Sequence, residues 1–317
     1  MTASTSGSLD ILAFGEPLME FAETERAGEP LYLPGFGGDT SNVAISAARQ
    51  GAKVGFFTAL GDDAFGTNFL KLWDAEGVDR SHVTMRPETR TGIYFISYGP
   101  EGHIFSYFRA GSAASLVKPA DLPLDLVASA KVLHVSGISQ AISSSATDAV
   151  FAAIRHARQN GVTVSYDTNL RLSLWPLDRA RATIHAAVAM SDIARPGLDD
   201  AQKLTGLEKP DDICDFYLGL GCRIVALTLG KEGTMIAVPG ERRIVPAKPV
   251  QAVDATGAGD AFGGAFLAEW LRCGDPFAAA VYANAAAALS TLGKGAVAPL
   301  PRRAAVEAFL KDGTLPD

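Results

Sequence analysis

Residues 253–264 read Val-Asp-Ala-Thr-Gly-Ala-Gly-Asp-Ala-Phe-Gly-Gly. The small residues Gly257, Ala258 and Gly259 lie between an apolar run and a long helical pattern, and Asp260 stands where that helix should begin. Small residues let the backbone approach a ligand, and free N–H groups at a helix N-terminus attract anions. A carboxylate beside such a site can act as a general base in phosphoryl transfer. The stretch therefore predicts either a phosphate-handling site or an ordinary glycine turn before a capping aspartate.

The same stretch matches neither of two better-known phosphate-binding patterns. The spacing of Gly257, Gly259 and Gly263 misses the Gly-x-Gly-x-x-Gly dinucleotide fingerprint by one residue. Val225 stands where a P-loop ending in Gly230-Lys231 would need its first glycine. Its interpretation therefore depends on the rest of the chain.

The composition favours a globular protein with a large core. The chain has 317 residues, of which 48% are hydrophobic, and this suits one large α/β domain. A net charge of −7 argues against nucleic acid or an anionic membrane as a partner. The three cysteines have no paired spacing, residues 1–8 read as a disordered tail rather than a signal peptide, and no apolar run could span a bilayer. We therefore expect a cytoplasmic protein with reduced thiols.

Short β-rich runs alternate with helical patterns along most of the chain. The predicted strands cover 9–14, 53–57, 131–135, 162–166 and 223–229, and the predicted helices cover 42–50, 64–76 and 146–159. Such alternation predicts a parallel sheet with helices on both faces, in which ligands bind beyond the carboxyl ends of the strands. Asp167-Thr168-Asn169 and Gly230 follow predicted strands, and Asp254 follows a short apolar run.

Two regions, 18–33 and 91–109, contain strand-like runs that no helix separates. In the second, the runs 93–98 and 103–108 flank Gly99-Pro100-Glu101-Gly102, a pattern typical of an antiparallel hairpin. These runs predict a small sheet beside the main domain, either a lid that excludes water or an ordinary surface hairpin. The apolar hairpin could pair with a second copy to form a homodimer, or it could pack only over its own site.

Taken together, these segments resemble the PfkB, or ribokinase-like, family of carbohydrate kinases over nearly the whole chain. Residues 254–262 are similar to the C-terminal signature of the family, and Gly37-Gly38-Asp39-Thr40-Ser41-Asn42-Val43-Ala44 is similar to its N-terminal sugar-binding signature. Residues 61–66 and 228–233 also match. Two signatures in the right order and separation are far more specific than either alone.

The resemblance implies the fold and the domain organisation. It implies an α/β protein of ribokinase-like three-layer α/β/α architecture, with a mostly parallel central sheet and a small antiparallel β lid. The whole chain, 1–317, would be a single kinase domain. The lid would be discontinuous and formed from roughly 16–37 and 91–110.

The resemblance also implies ATP-dependent phosphorylation of a sugar hydroxyl with Mg²⁺. Asp260 would take the proton, and the backbone N–H groups of Gly257, Ala258 and Gly259 would receive charge on the transferred group. By the same resemblance, the nucleotide would lie near Thr228, Gly230, Gly233, Gly257, Gly259 and Asn284. Asn284 is equally well explained as a polar residue on a helix face.

The resemblance bears on metal ions in two places. Many members carry Asn-x-x-Glu after a strand, where this chain has Gly197 and Asp200. Asp200 would hold a magnesium-bound water, although its shorter side chain weakens the match. Asp254 would lie near a monovalent-cation site, with K⁺ as the ion, in relatives that use one.

Within the family, 38–40, 105–113 and 167–175 look most like the 2-keto-3-deoxygluconate kinases. By that resemblance, the sugar acid would contact Gly37, Gly38, Asn42, Tyr94, Tyr107, Arg109, Arg171 and Asp260. An arginine fork suits a carboxylate, and tyrosine hydroxyls suit keto and hydroxyl groups.

Three alternatives to these assignments stay open. Arg109 could form a surface ion pair, and Arg171 could serve the triphosphate. The protein could be a fructokinase or another neutral-sugar or nucleoside kinase. It could also be a sugar-binding regulator without catalytic activity, because fold does not fix function.

Overall fold

A mostly parallel sheet runs through the centre of the protein in a computed structural model that describes residues 8–26, 29–99 and 102–315. The strands of this described part, in chain order, are β1 (Ile11–Phe14), β2 (Leu18–Arg26), β3 (Glu29–Gly37), β4 (Val54–Phe57), β5 (Ala59–Gly61), β6 (Thr84–Arg86), β7 (Gly92–Gly99), β8 (Gly102–Phe108), β9 (Val132–Ser136), β10 (Thr163–Asp167), β11 (Ile193–Arg195), β12 (Ile224–Thr228), β13 (Thr234–Val238) and β14 (Glu241–Val245). The central sheet has the order β14-β13-β12-β11-β10-β9-β1-β4. All its pairings are parallel except β12–β13 and β13–β14.

Helices cover both faces of this sheet. Those of the described residues are α1 (Asp39–Arg49), α2 (Ala64–Glu76), α3 (Leu124–Ser129), α4 (Gly137–Ala141), α5 (Ser144–Gln159), α6 (Leu177–Val188), α7 (Leu198–Thr205), α8 (Pro210–Gly219), α9 (Ala258–Cys273), α10 (Pro276–Ser290) and α11 (Arg303–Asp312). Residues of α1, α2, α9, α10 and α11 form one apolar cluster, and residues of α3, α5, α6, α7 and α8 form another. The three-layer α/β/α prediction is therefore confirmed.

The alternation of strand side chains divides the core between the two faces. Ile11 and Ala13 of β1 join the cluster around α9, whereas Leu12 and Phe14 join the cluster around α5. Because successive side chains of a strand point to opposite faces, a strand buried on both faces reads as a continuous apolar run. This is why the run at 9–14 predicts a strand correctly.

A second, smaller sheet has the order β3-β2-β7-β8 and contains both regions that interrupt the alternation. The pairs β2–β3 and β7–β8 are antiparallel, and β2–β7 is parallel. The hairpin and the small, mainly antiparallel sheet are thus confirmed. Exposed apolar side chains on this sheet include Leu33, Ile104 and Phe108. The homodimer through the sheet stays a prediction.

The apolar run before Asp254 is not a strand, although the other strand-end expectations hold. The N–H groups of Val253 and Asp254 both donate to the carbonyl of Thr291, after α10, and this ties the segment to a helix end instead of a neighbouring strand. The expected tail lies outside the described residues except for Ser8, and so do Pro100 and Glu101 of the hairpin turn. Among the described residues, no helix is long and apolar enough to cross a membrane.

Candidate active site

A cleft of about 710 Å³ lies between the carboxyl ends of the central strands and the small sheet. The ends of β10, β11 and β12 contribute Asp167, Arg195 and Thr228, and the small sheet contributes Tyr94 and Tyr107. The lining residues also include Glu16, Gly38, Asp39, Asn42, Arg109, Asn169, Arg171, Gly197, Asp200, Gly257, Gly259 and Asp260. Most of the sequence-predicted site residues therefore line one cleft.

The N-terminus of α9 opens into this cleft. Gly257 precedes the helix with a φ of 74°, and no side chain caps the helix there. A Cβ at Gly257 would lie 3.0 Å from Ala296, so both the backbone angle and the packing favour glycine. The first N–H groups of a helix lack partners within the helix and attract anions, although that of Ala258 donates to the carbonyl of Ala255 at 3.1 Å.

Asp260 lies in the first turn of α9, and its Oδ2 accepts a hydrogen bond from Asn42 Nδ2 at 2.8 Å. Burial, followed by the neighbouring charge of Asp39, raises the pKa of Asp260 to about 8, although Asn42 and Arg195 oppose the shift. A general base is most effective when its pKa lies near the working pH. The cleft thus places a carboxylate with a base-like pKa beside an uncapped helix N-terminus.

Two further carboxylates, Asp39 and Asp167, lie close to Asp260. Asn169, which has a φ of 27°, donates from Nδ2 to Asp39 at 2.9 Å, and its backbone N–H donates to Asp167. Burial raises the pKa of Asp167 to about 6, with Arg195 opposing the shift. Asp39 Oδ1 and Asn42 Oδ1 are buried and have no hydrogen-bond partner within the described residues. These oxygens can accept hydrogen bonds from a polyhydroxylated ligand.

Arg195 is a cation that lies beside the carboxylates of Asp167 and Asp260. Its Nη2 donates to the carbonyl of Gly259 at 2.8 Å and lies 3.2 Å from Asp167 Oδ2. The side chain packs against Gly263, where a Cβ would lie 2.1 Å from the guanidinium carbon. Arg195 thus joins the end of β10 to the first turn of α9.

The small sheet adds an aromatic wall to the cleft. Tyr94 stacks on Tyr107 with ring centroids 5.6 Å apart, and its hydroxyl donates to the buried Glu20. Gly37 lies against Tyr94, because a Cβ there would meet the hydroxyl at 2.6 Å. Burial raises the pKa of Glu20, and so does the charge of Asp254. Tyr107 remains 39% exposed, so it is the more accessible of the two tyrosines.

Arg109 forms a buried ion pair and not the surface pair considered from the sequence. Its Nε donates to Glu16 at 2.7 Å, and Glu16 also accepts from Ser112. Glu16 is 1% exposed and Arg109 is 9% exposed. A ligand carboxylate at Arg109 would have to compete with Glu16 for the guanidinium.

Arg171 is the more available arginine. Its Nη1 donates to the carbonyl of Leu170 and lies 3.8 Å from Asp200 Oδ2, and its side chain is 46% exposed. Asp200, in the first turn of α7, accepts from the N–H of Leu170, and burial raises its pKa. Gly197 precedes α7 and pairs with Thr228. Thr228, which is assigned to the nucleotide, therefore lies beside the start of α7, whose first turn carries Asp200.

The other two glycines assigned to the nucleotide differ in their surroundings. A Cβ at Gly230 would meet no atom within 4 Å, whereas one at Gly233 would lie 2.1 Å from the carbonyl oxygen of Val245. Gly230 thus has open space beside it, and Gly233 is required by the packing of its own loop.

Asn284 is fully engaged by the protein. Its Nδ2 donates to the carbonyl of Val245 at 2.8 Å, and its Oδ1 accepts from Thr234. The side chain is buried and is not among the residues that line the cleft, so the structure does not bring it to the other predicted residues. Its adenine contact stays a prediction, and that contact would require it to exchange one of these bonds.

Asp254 organises the loop before α9. Its Oδ1 accepts from the N–H and the hydroxyl of Thr256, and its Oδ2 accepts from the N–H of Gly295. The loop that leads to Gly257 is therefore held by one carboxylate. The monovalent-cation role of Asp254 stays a prediction.

Sequence reasoning did not assign roles to Glu16, Asp39, Asn169 or Arg195. Asp39 stood inside a quoted signature, and Asn169 stood in a quoted strand-end segment, so position alone could have pointed to both. Arg195 ends a strand of only three residues, which gives almost no periodicity. Glu16 and Arg109 are 93 residues apart, and no local pattern reveals such a pair.

Comparison with known sequences supports the resemblance. The profile of the pfkB family carbohydrate kinases matches residues 10–303. The chain is 34% identical over 310 residues to a 2-dehydro-3-deoxygluconokinase of Bacillus subtilis (strain 168), covering 95% of both chains. It is 35% identical to an enzyme of the same name from Thermoproteus tenax, covering 96% of this chain and 94% of that one. Fructokinase-1 of Oryza sativa subsp. japonica is 33% identical, with coverage of 92% and 94%.

Solved structures share the fold. A fructokinase from Vibrio cholerae O395 with bound fructose, ADP and calcium ion superposes with a TM-score of 0.85 at 30% identity, covering 96% of this chain and 99% of that chain. A provisionally named ribokinase II of E. coli, in complex with ATP and Mg²⁺, gives a TM-score of 0.87 at 26% identity with the same coverage.

Proposed function

Because the chain belongs to the pfkB family of carbohydrate kinases, we propose that it transfers the γ-phosphoryl group of ATP to the terminal hydroxyl of 2-keto-3-deoxygluconate, forming the 6-phosphate. The observation that carries the proposal is the position of Asp260, in the cleft beside the uncapped N-terminus of α9. Positioning and electrostatic stabilisation dominate phosphoryl transfer, and these residues supply both.

Each group in the cleft has a chemical task in this mechanism. Asp260 accepts the proton of the attacking hydroxyl, and Asn42 fixes the orientation of its carboxylate. The N–H groups of Gly257 and Gly259, together with that of Ala258 once it leaves the carbonyl of Ala255, stabilise negative charge on the transferred group. The buried oxygens Asp39 Oδ1 and Asn42 Oδ1 would accept hydrogen bonds from hydroxyl groups of the sugar.

The residues present fit a magnesium ion held chiefly by the nucleotide. Among the described residues, no group of three or more His, Cys, Asp or Glu side chains could hold a metal. Mg²⁺ commonly keeps several waters and binds one or two carboxylates together with substrate phosphates. Asp200, which lines the cleft, would hold such a water. The bound ion would neutralise charge on the phosphates.

The small sheet would act as the lid of a single kinase domain. Its residues Leu18, Tyr94 and Tyr107 face the cleft, and Glu20 lies near Asp254. Closure of such a sheet excludes water from the transfer and strengthens the electrostatic interactions inside.

The choice of a sugar acid rests on Arg171 and on the similarity to two 2-dehydro-3-deoxygluconokinases. The competing function is a fructokinase, and the engagement of Arg109 by Glu16 favours it, because that pair removes one arginine that a carboxylate would need. Fructokinases are also similar to the chain at nearly the same identity.

Arg171→Ala separates these two functions. If Arg171 binds the carboxylate, the substitution should raise KM for 2-keto-3-deoxygluconate by about tenfold or more and leave KM for fructose and for ATP nearly unchanged, since a charge-assisted bond contributes about 1.5–3 kcal/mol. A coupled assay of ADP release measures all three constants, with Arg158→Ala as a control outside the cleft.

The outcome of this assay also distinguishes the remaining alternatives. Preference of the wild-type protein for fructose would reject the sugar acid but keep the kinase. A rise in KM for ATP alone would assign Arg171 to the triphosphate. Sugar binding by calorimetry, without turnover of any sugar, would favour a regulator.

The raised pKa of Asp260 predicts a pH dependence of kcat/KM. A general base works only when deprotonated, so kcat/KM should fall about tenfold per pH unit below a midpoint near 8 and level off above it. Initial rates at subsaturating sugar between pH 6 and 9.5 measure this limb. A flat profile down to pH 6 would show that no group with a raised pKa limits the reaction.

A further inference from the structure

Arg195 lies in the cleft but has no role in the proposed mechanism. The side chain is 3% exposed and lies at the end of β11, and it lines the cleft. Its polar contacts within the described residues are made by Nη2, with the carbonyl of Gly259 and the carboxylate of Asp167. In the described part of the chain, Nε and Nη1 are buried without a hydrogen-bond partner. Burial of a guanidinium with unsatisfied donors lowers the stability of the fold. A function of this side chain would explain its burial.

The first turn of α9 is shaped to receive this guanidinium. Gly263 lies one turn after Asp260, and its missing side chain leaves the space that Arg195 fills. Any Cβ at Gly263 would displace the guanidinium from the carbonyl of Gly259. Contact between arginine and helix therefore depends on both residues.

The polar and charged groups that surround Asp260 lie on four other elements. Asp39 lies on α1 together with Asn42, Asp167 ends β10, Arg195 ends β11, and Tyr94 lies on β7. Of these groups only Arg195 is a cation. Opposite charge favours ionisation of a carboxylate, and like charge opposes it.

We propose that Arg195 is a positioning residue for phosphoryl transfer, which holds the first turn of α9 against β10 and supplies the positive charge that allows Asp260 to ionise beside two other carboxylates. The inference rests on the proposed function and extends it to a residue outside the expected set. Arg195 acts through Asp260 and Gly259 and need not touch the substrate.

Arg195→Met tests the proposal through protonation of Asp260. Loss of the cation should raise the midpoint of the kcat/KM profile by about one pH unit or more and lower kcat/KM at pH 7 by about tenfold or more. Arg195→Lys keeps the charge and should restore most of the wild-type midpoint. Arg223→Met is a control for the loss of an arginine–aspartate pair away from the cleft, because the largely exposed Arg223 pairs with Asp192 at the opposite end of the sheet.

A second measurement does not depend on catalysis. In protein labelled with ¹³C at the aspartate carboxyl carbons, the signal of Asp260, assigned by its loss in Asp260→Asn, should titrate at higher pH in Arg195→Met than in wild type. If Arg195→Met does not fold, Gly263→Ala displaces the guanidinium without removing its charge from the protein, and Asp260 should again titrate at higher pH than in wild type.

The results of these measurements test the role of Arg195 separately from the proposed kinase function. Equal titration of Asp260 in wild type, Arg195→Met and Gly263→Ala would overturn the role of Arg195, even if the wild-type protein is an active kinase. Absence of turnover with every sugar would remove the proposed function, while the titration of Asp260 would still decide whether Arg195 governs its ionisation.

Discussion

Replacement of Asp260 by asparagine is expected to lower kcat by about 10²–10⁴-fold, because the amide cannot accept the proton of the attacking hydroxyl. Asn42 can still contact the new side chain, and the N-terminus of α9 is unchanged, so ATP binding should persist. Turnover by the coupled assay and nucleotide binding by calorimetry measure the two effects. Turnover close to that of wild type would reject Asp260 as the base.

The same substitution should stabilise the folded protein at neutral pH. Asp260 has a higher pKa when folded, about 8, than the roughly 3.9 of an unfolded aspartate. Its ionised form therefore costs stability above the unfolded pKa, and the cost grows as pH rises towards the folded pKa. Asp260→Asn should raise Tm at pH 8 and leave it unchanged near pH 4. Greater stability with lost turnover would exclude unfolding as the cause of inactivity.

Arg109→Met is expected to lower the free energy of unfolding by about 3–5 kcal/mol, because it leaves the carboxylate of Glu16 buried without its partner. Among the side chains that the structure describes, the hydroxyl of Ser112 is then the remaining hydrogen-bond donor to Glu16. Chemical denaturation with a fluorescence readout measures the loss.

Two control variants show whether the lost free energy of unfolding comes from the buried ion pair. Glu16→Gln/Arg109→Met removes both charges and should recover part of the stability. Arg86→Met breaks the more exposed pair with Asp121 and should cost about 1 kcal/mol or less. An Arg109→Met protein no less stable than the double variant would contradict a buried, mutually dependent pair.

Arg109→Met also tests whether the arginine reaches the substrate. If it contacts the carboxylate, KM for 2-keto-3-deoxygluconate should rise far more than KM for a neutral sugar. Equal effects on both sugars would leave Arg109 with a structural role through Glu16.

The helix N-terminus and the central strands could be predicted because their signals are local. Small residues at 257–259 and an aspartate before an apolar helix are visible in a few consecutive positions, and so is a strand buried on both faces. Both signals come from consecutive residues, and the structure has a helix N-terminus and strands at these positions. No strand was predicted at β13 or β14, which extend the sheet with antiparallel pairs.

The contacts between distant segments could not be predicted in this way. Arg195 meets Gly259 across 64 residues, and the space for it depends on the absence of a side chain at Gly263. The sequence leaves Asn284 as either an adenine contact or a polar residue on a helix face, and the structure adds that its amide joins α10 to the end of β14. Residue type indicates what a side chain can do, whereas only the packing shows which of its atoms are already engaged.

The proposed role of Asp260 is tested most directly by a crystal structure with 2-keto-3-deoxygluconate and a non-hydrolysable ATP analogue. The account predicts that the terminal hydroxyl lies about 2.6–3.2 Å from an Asp260 carboxylate oxygen, with the γ-phosphate at the N–H groups of Gly257, Ala258 and Gly259. A sugar bound in the cleft with its hydroxyl turned away from Asp260, or a γ-phosphate remote from the N-terminus of α9, would contradict it.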